Sequence, residues 1–425
     1  MDVVKIFGKA VGDLAPEHPE IARNLLLTGY RLQDTKLRYF PNKKLPSSGQ
    51  YVAEIVMRNM IQALSKPENA AMVSIFCPGE LITAAGLKPY SVEALSCFMT
   101  GTKCEQAFLA QTQQEGFPET MCSYHRIFLG TALNGFMPKP KCMLYTNLAC
   151  DGNMMTFPFL KEHYQVPAFF IDVPYEKNPE SVHYVADQLR DAKKFLEDTT
   201  SREITDESLK KALANSNQAA KYYQRQLSLR KDRNPATTLT NELYAIFMCQ
   251  LLAGSPEALK YTKLLYRDVQ KAPKDDGIGI VWMHIMPFMQ APVQQVFNFS
   301  DKVHFRACDF VYAGFRVLKE EDPYEAMAHK MVYSIYNGSV QERIQEAIRV
   351  AKLTHSDGII LFAHWGCKST IGASPLIKKE LEAAGFPTLV LDGDGVNPAN
   401  TSDGQVSTRL NAFIEMLEEK RREKS

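Results

Sequence analysis

The sequence lacks several patterns that identify common classes of function. No Cys-x-x-Cys pair occurs among its nine cysteines, which argues against a zinc ribbon, a thioredoxin-type redox motif and a ferredoxin-type cluster. It has no GxxxxGK[ST] phosphate loop and no complete GxGxxG fingerprint, so we expect neither ATP nor NAD to bind by those routes. The odd number of scattered cysteines favours reduced thiols or metal ligands over a disulfide framework.

Neither the charge balance nor the hydropathy pattern indicates a polyanionic or lipid partner. There are 49 basic and 48 acidic residues, a net charge of +1, so no global field favours nucleic acid or an anionic membrane surface. The most apolar stretch, 278–289, is too short to span a bilayer and contains Pro287, and the first residues have no signal-peptide core. We therefore expect a cytoplasmic protein with no nucleic-acid or membrane partner.

Apolar runs of strand length alternate with helical patterns in two parts of the chain. A length of 425 residues allows two or three domains, and the alternation predicts an α/β fold with parallel sheets. Strand-like runs occur at 71–77, 142–147 and 166–172, and again at 278–285, 303–305, 358–363 and 388–392. We predict a helical N-terminal arm (1–66), a first α/β domain (67–200), a helical connector (201–272) and a second α/β domain (273–425).

Three cysteines far apart in the sequence share one kind of local setting. Cys150 follows an apolar run and a polar turn, and Cys367 follows the run 358–363, so both should lie past the carboxyl end of a strand, where parallel sheets bind ligands. Cys122 precedes a helical pattern, and the free N–H groups and positive dipole end of a helix start favour a thiolate. We interpret the three as candidate metal ligands.

Three converging thiolates would leave one corner of a four-iron cluster open to substrate, which is a catalytic arrangement. The alternative is that these are ordinary buried cysteines, since cysteine behaves as a small hydrophobic residue and is among the most interior residue types. Spacing alone leaves both alternatives open.

Five separated motifs, in order, resemble those of one family, the 2-hydroxyacyl-CoA dehydratases, which also includes benzoyl-CoA reductase subunits and double-cubane cluster proteins. The similarity extends from about Ala71 to Leu417. The motifs are Cys77-Pro-Gly-Glu-Leu-Ile-Thr-Ala-Ala-Gly-Leu-Lys-Pro, Thr120-Met-Cys-Ser-Tyr-His-Arg, Leu148-Ala-Cys-Asp-Gly, 358–367, and Gly404-Gln-Val-Ser-Thr-Arg-Leu-Asn-Ala-Phe413.

The resemblance implies two flavodoxin-like, doubly wound parallel-sheet domains with a [4Fe-4S] cluster between them. Carried over by motif, the cluster cysteines are Cys122, Cys150 and Cys367. Cys77 ends the first predicted strand and should face the same edge as Cys150, so we include it as a candidate metal ligand. Together with three further cysteines, it leaves open a fourth ligand or a double cubane; those three are Cys97, Cys104 and Cys308.

The family resemblance also implies a reaction and its partners. Removing water from a 2-hydroxyacyl-CoA requires loss of a β-proton that the carbonyl does not activate, so acid–base catalysis alone is insufficient. One-electron reduction to a ketyl radical lets hydroxide leave from C2 and makes that proton acidic, and a cluster with an open iron site can deliver the electron and act as a Lewis acid. The implied partners are an acyl-CoA substrate, a homologous second subunit in a heterodimer, and an ATP-dependent iron–sulfur activator protein.

Two other functions stay open at this point. One is an ATP-coupled low-potential reductase of benzoyl-CoA reductase or double-cubane type, an oxidoreductase in place of a lyase. The other is a cluster-bearing partner subunit without catalysis of its own.

Three further residues are candidate catalytic groups. His364 precedes Cys367 and could hydrogen-bond to the cluster ligands, although a packed turn is an alternative. Glu80, near a helix start, could act as a base, or it could be a charge stabilised by the helix dipole. His284 ends a buried strand on the predicted ligand side, and its alternative is a core histidine.

Overall fold

Eight strands form two four-stranded sheets in the computed structural model, which describes residues 2–274 and 276–423. The first sheet has the order β2-β1-β3-β4 and the second the order β6-β5-β7-β8, and every pairing is parallel. The strands are β1 (Ala70–Val73), β2 (Lys88–Tyr90), β3 (Cys142–Thr146), β4 (Ala168–Ile171), β5 (Ile278–Met283), β6 (Val303–Cys308), β7 (Gly358–His364) and β8 (Thr388–Gly393).

Both sheets therefore have the same topology, in which the first and third strands are central and the second and fourth lie at the edges. The central strands β5 and β7 are buried along their whole length, as expected for parallel strands covered by helices on both faces. The predicted α/β class with two flavodoxin-like parallel-sheet domains is confirmed. The domain boundaries given above stay a prediction.

Helices make up most of the remaining chain. They are α1 (Val3–Leu14), α2 (Pro19–Tyr39), α3 (Ser47–Ser65), α4 (Gly79–Ala84), α5 (Val92–Thr102), α6 (Glu105–Gln114), α7 (Ser123–Leu133), α8 (Asn153–Tyr164), α9 (Pro179–Thr200), α10 (Asp206–Leu229), α11 (Leu239–Gln250), α12 (Pro256–Lys271), α13 (Ala291–Phe297), α14 (Asp309–Gly314), α15 (Pro323–Val332), α16 (Val340–Leu353), α17 (Lys368–Ala383) and α18 (Asp403–Arg422). Among these described helices, none combines the length and apolar character that crossing a membrane requires.

The helices outside the sheet regions pack against them. The arm helix α3 contacts β1 and β2 as well as α11 and α12, while α10 contacts both α4 and α15. The predicted arm and connector are thus helical, and they contact elements of both sheet regions.

Two details of the first sheet differ from the sequence prediction. β1 ends at Val73, so the predicted strand 71–77 is too long, and Ile75 to Cys77 lead into a turn before α4. β2 was not predicted, because it has only three residues and contains Pro89. Proline is tolerated there because β2 is an edge strand, where a missing N–H removes no ladder hydrogen bond on the outer side.

Candidate functional site

One cavity of about 440 Å³ lies at the carboxyl ends of both sheets. The segments that follow β1, β3, β5, β6 and β7 all contribute to its wall. Parallel α/β sheets bind ligands at this edge, and the volume is in the range of a small-molecule site. Cys122, Cys150 and Cys367 all line this cavity.

Each cysteine lies close to the start of a helix. Cys122 directly precedes α7 and Cys367 directly precedes α17, while Cys150 lies in the turn between β3 and α8. Helix starts present free N–H groups and a positive dipole end, which favour a thiolate. Cys122 and Cys150 come from the first sheet region and Cys367 from the second.

Burial and repulsion from neighbouring groups keep the thiols of Cys122 and Cys150 protonated in the absence of a cation. Burial raises the pKa of Cys122, and the nearby sulfurs of Cys150 and Cys367 raise it further. Burial also raises the pKa of Cys150 to about 12, with added repulsion from Glu93 and Cys367. Backbone N–H groups at the helix starts oppose these effects. Three thiolates in this cavity would therefore require a compensating positive charge.

His364 lies beside Cys122, with its Nε2 atom 3.2 Å from the sulfur. The backbone N–H of Gly395 donates to His364 Nδ1 at 3.1 Å, and burial lowers the pKa of His364 to about 4. The imidazole is therefore neutral at pH 7, and because Nδ1 is an acceptor, Nε2 carries the proton. His364 thus donates a hydrogen bond to the sulfur of Cys122.

His125 has the same relationship to Cys150. Its Nε2 lies 3.3 Å from the Cys150 sulfur, and its Nδ1 lies 2.8 Å from the hydroxyl of Thr156. Burial lowers the pKa of His125 to about 4, so this ring is neutral as well. We did not select His125 from the sequence, although it lies three residues after Cys122; its partner is the other cysteine of this half.

His284 completes the set, since its Nε2 lies 3.5 Å from the sulfur of Cys367. Its pKa is lowered by burial and by the charge of Arg343. The Nδ1 atom is buried and has no hydrogen-bond partner among the described residues. Each of the three cysteines is thus paired with its own histidine nitrogen.

Left-handed backbone conformations position this site. Ala149, just before Cys150, has φ 66°, and His284 has φ 79°; such non-glycine residues cost about 1–3 kcal/mol each and cluster at functional sites. Gly366, before Cys367, has φ 81°, and a Cβ there would lie 2.6 Å from both Cα and N of Cys122. Only glycine lets the two cysteine segments approach this closely.

Glu80 and Cys77 do not line the cavity. Glu80 is buried on α4, where it pairs with Lys330 at 3.0 Å and accepts a hydrogen bond from Ser216 at 2.8 Å. Burial raises its pKa, but the positive charge of Lys330 and these hydrogen bonds more than offset that effect, so the net pKa is lowered. This position favours the alternative of a structural charge over a base at the substrate.

Cys77 does not line the cavity with Cys150, although the sequence predicts both at the same edge of the sheet. Its sulfur contacts Ser74 Oγ and donates to the carbonyl of Leu144, both at 3.3 Å, and burial raises its pKa to about 12. The chain turns after Val73, and the Cys77 sulfur lies against the backbone of β3. Its geometry is that of a buried thiol.

Glu93, on the first turn of α5, is a cavity residue that we did not select from the sequence. Its Oε2 atom is buried and has no hydrogen-bond partner in the part of the chain that the structure describes. Burial raises the pKa of Glu93. A buried carboxyl with an unpaired oxygen in a cleft is a candidate for proton transfer. Its sequence context, a glutamate in the first turn of a helix, is too common to be a signal.

No group of three or more His, Cys, Asp or Glu side chains in residues 2–274 and 276–423 forms a ready-made site for a metal ion. Cys122, Cys150 and Cys367 line one cavity without forming such a group.

Comparison with known proteins identifies the family. A family model described as 2-hydroxyglutaryl-CoA dehydratase, D-component, matches residues 74–417. The chain belongs to this family.

Members of the dehydratase family with known functions are similar to this chain over most of their length. The (R)-phenyllactyl-CoA dehydratase alpha subunit of Clostridium sporogenes is 24% identical over 86% of this chain and 95% of the relative. The beta subunit of the same enzyme is 23% identical over 85% of this chain and 94% of the relative. A benzoyl-CoA reductase subunit of Thauera aromatica is 22% identical over 84% of this chain and 92% of the relative. The family predicted from the five motifs is confirmed.

Proposed function

We propose that this chain is the iron–sulfur subunit of a 2-hydroxyacyl-CoA dehydratase, with Cys122, Cys150 and Cys367 holding one [4Fe-4S] cluster. One observation carries the proposal: three thiols from separated segments line one cavity, and each has a histidine nitrogen within 3.5 Å. The supporting relationship is membership of the dehydratase family.

The donor set fits a cluster. Thiolates are the usual protein ligands of iron–sulfur clusters, and the positive charge of the metal would offset the burial and the repulsion that raise the pKa of Cys122. A four-iron cluster is held at its corners, so its ligands stand farther apart than those of a single ion. The N–H of His364 would stabilise a ligating sulfur as an outer-shell partner.

When bound, a cluster with three cysteine ligands supplies one-electron reduction and Lewis acidity at its open iron. The residues of this chain would orient the substrate and exclude water. Apolar side chains dominate the cavity wall, including Phe76, Phe310 and Tyr336, and this low-polarity environment strengthens electrostatic interactions.

Glu93 is the group that we propose for proton transfer. Dehydration removes a proton from C3 and hydroxide from C2 of the acyl group. The carboxylate of Glu93 would take the C3 proton and return it to the departing hydroxide, so that water forms and the carboxylate is regenerated. Its raised pKa brings it closer to the value that suits a general base and acid near neutral pH.

A single cluster is favoured over a double cubane. The remaining six cysteines are buried free thiols and do not line the cavity; they are Cys77, Cys97, Cys104, Cys142, Cys249 and Cys308. Four of them donate to backbone carbonyl groups, as protonated packing residues do. The arrangement therefore supports the dehydratase over a reductase of double-cubane type.

The proposed partners follow from the family. The chain is similar to both the alpha and the beta subunit of one dehydratase, so we propose a homologous second subunit in a heterodimer. Since the sequence has no phosphate loop, a separate ATP-dependent iron–sulfur activator would supply the electron. Nine free thiols suit the reducing cytoplasm that we predicted.

A single preparation tests these proposals. The chain, purified without oxygen and reconstituted with iron and sulfide, should hold about four irons and four sulfides, the content of one cubane. About eight irons would favour the double-cubane reductase. Mixed with a family activator, ATP and a candidate second subunit, the chain should form a 2-enoyl-CoA from a 2-hydroxyacyl-CoA. Net consumption of electrons by the acyl group would identify a reductase.

A further inference from the structure

Aromatic side chains from both sheet regions form the inner wall of the cavity. The Phe76 ring, just after β1, lies 5.6 Å from that of Phe310 and 5.1 Å from that of Tyr336, and the latter two lie 5.0 Å apart. Aromatic rings packed at these separations present a broad apolar surface.

A second aromatic pair lies at the mouth. Phe117 and Phe159 meet edge to face, with ring centroids 5.6 Å apart. Met155, which also lines the cavity, is 71% exposed, and Phe159 itself is 39% exposed. Contiguous exposed apolar surface of this kind is typical of ligand-binding grooves.

The charged groups buried inside the cavity do not provide a site for a second carboxylate. Arg343 is buried, and its Nε and Nη2 atoms both donate to Asp309 Oδ2, at 2.9 and 2.7 Å. Glu93 would repel an anion. Asp151 and Lys368 lie exposed at the rim. A carboxylate buried without its own cation is strongly disfavoured.

We propose that the acyl group accepted by this cavity is bulky and apolar, with an aromatic ring or a branched alkyl chain beyond C2, and that it lies between the inner aromatic wall and the mouth pair. The inference rests on the function proposed above, since it concerns the substrate of the same site. A dicarboxylic acyl group would place an anion against Glu93 and aromatic carbon. A two- or three-carbon acyl group would not reach the aromatic pair at the mouth, which lies beyond the cysteines that would hold the cluster.

Binding of unreactive analogues tests this substrate class without turnover. The full-length chain, reconstituted without oxygen, is titrated calorimetrically with 3-phenylpropionyl-CoA, propionyl-CoA and glutaryl-CoA. All three share the CoA part and lack the 2-hydroxyl group. We expect the phenyl analogue to bind at least tenfold more tightly than either of the others, because burial of a large apolar group is worth roughly a factor of ten or more.

Two variants locate the acyl group, and a third is their control. Phe159→Ala should weaken binding of the phenyl analogue about tenfold and leave propionyl-CoA binding unchanged. Phe117→Arg, at the partly exposed mouth, should shift the preference toward glutaryl-CoA. Phe195→Ala removes a similar aromatic contact, with ring centroids 5.5 Å apart, between Phe169 and Phe195 outside the cavity, and should change neither affinity.

The outcomes separate this inference from the proposed function. If glutaryl-CoA or propionyl-CoA binds as tightly as the phenyl analogue, the substrate class is overturned and the acyl-CoA function stands. If none of the three thioesters binds, the acyl-CoA function is itself overturned. If Phe195→Ala weakens binding as much as Phe159→Ala does, the placement of the acyl group between the aromatic walls is wrong.

Discussion

His364 donates a hydrogen bond from Nε2 to the sulfur of Cys122, 242 positions earlier in the chain, across a distance of 3.2 Å. The backbone of Gly395 fixes the tautomer that makes this possible. The bond joins the two sheet regions at the proposed cluster site. His364 is close to Cys367 in the sequence, but its hydrogen bond is to Cys122.

We predict that Cys122→Ser, Cys150→Ser and Cys367→Ser each lose most of the reconstituted iron, because each removes one of three thiolate ligands. Iron and sulfide analysis and the visible absorbance measure the loss. Cys77→Ala is the matched control, a buried thiol of the same sheet region that lies outside the cavity, and it should keep about four irons. Full iron content in any two of the three serine variants would refute the ligand assignment.

Two substitutions at His364 should separate its two hydrogen bonds. His364→Asn keeps an acceptor near Gly395 but removes the donor to Cys122, while His364→Gln can still reach the sulfur. Without the N–H, negative charge on the ligand is less stabilised, so the Asn variant should have a lower cluster potential and release iron to a chelator more readily, with about 10- to 100-fold weaker affinity. Redox titration followed by electron paramagnetic resonance tests this. Equal potentials in both variants would exclude the proposed role.

Glu93→Gln should lower kcat about 10²- to 10⁴-fold, the usual contribution of a proton-transfer group. Iron content should not fall, because the change removes only the repulsion between Glu93 and Cys150, and the affinity for acyl-CoA should stay unchanged because glutamine has nearly the same size and shape as glutamate. Wild-type kcat should rise with pH through a pKa above the ordinary glutamate value, since burial raises the pKa of Glu93 and the base form must be ionised. A Gln variant that keeps full activity would remove Glu93 from the mechanism.

Glu80→Gln should destabilise the protein without abolishing catalysis. The variant leaves Lys330, whose side chain is 17% exposed, without its partner, and we expect a loss of about 1–3 kcal/mol in the free energy of unfolding at pH 7. Because the folded-state pKa of Glu80 is lowered, its stabilising effect is complete above about pH 4.5 and is lost as the pH falls through the folded value. The wild type should therefore lose more stability on acidification than the variant.

Denaturant titrations between pH 3 and pH 7 measure that difference. Glu382→Gln, which breaks a pair whose two side chains are each 44% exposed, serves as the control and should cost at most about 1 kcal/mol. Complete loss of dehydration by a folded, iron-containing Glu80→Gln variant would restore Glu80 as a catalytic base.

The sequence was sufficient to predict β5, β7 and β8 nearly in full, whereas for β6 only the first half, 303–305, was predicted. Buried runs such as those of β5 and β7 are short and rich in isoleucine, and these two properties favour a buried parallel strand over a helix. β2 was missed because three residues that include Pro89 carry no periodic signal. The first strand was predicted too long because Ile75 and Phe76 are apolar, and the sequence does not distinguish a strand residue from a buried turn.

The site was predicted in part. The structure brings Cys122, Cys150 and Cys367 to one cavity, as their positions after strands and at a helix start indicated, but their role as ligands stays a proposal. The pairing of His125 with Cys150 was not predictable, because His125 is closer in sequence to Cys122. Glu93 became a candidate only from the structure, because its buried Oε2 atom has no hydrogen-bond partner among residues 2–274 and 276–423, and that property depends on tertiary packing.

The close approach of Gly366 to the backbone of Cys122 brings the two sheet regions together at the proposed cluster site, so the cluster should affect how the protein unfolds. Two of the proposed ligands belong to the first sheet region and one to the second, so a bound cluster would cross-link parts of the chain that otherwise depend on side-chain packing to stay together. The reconstituted protein should then unfold in one cooperative transition. In the metal-free chain, the two sheet regions can unfold separately. Calorimetry of both forms would show whether the cofactor stabilises the folded protein in addition to taking part in the reaction.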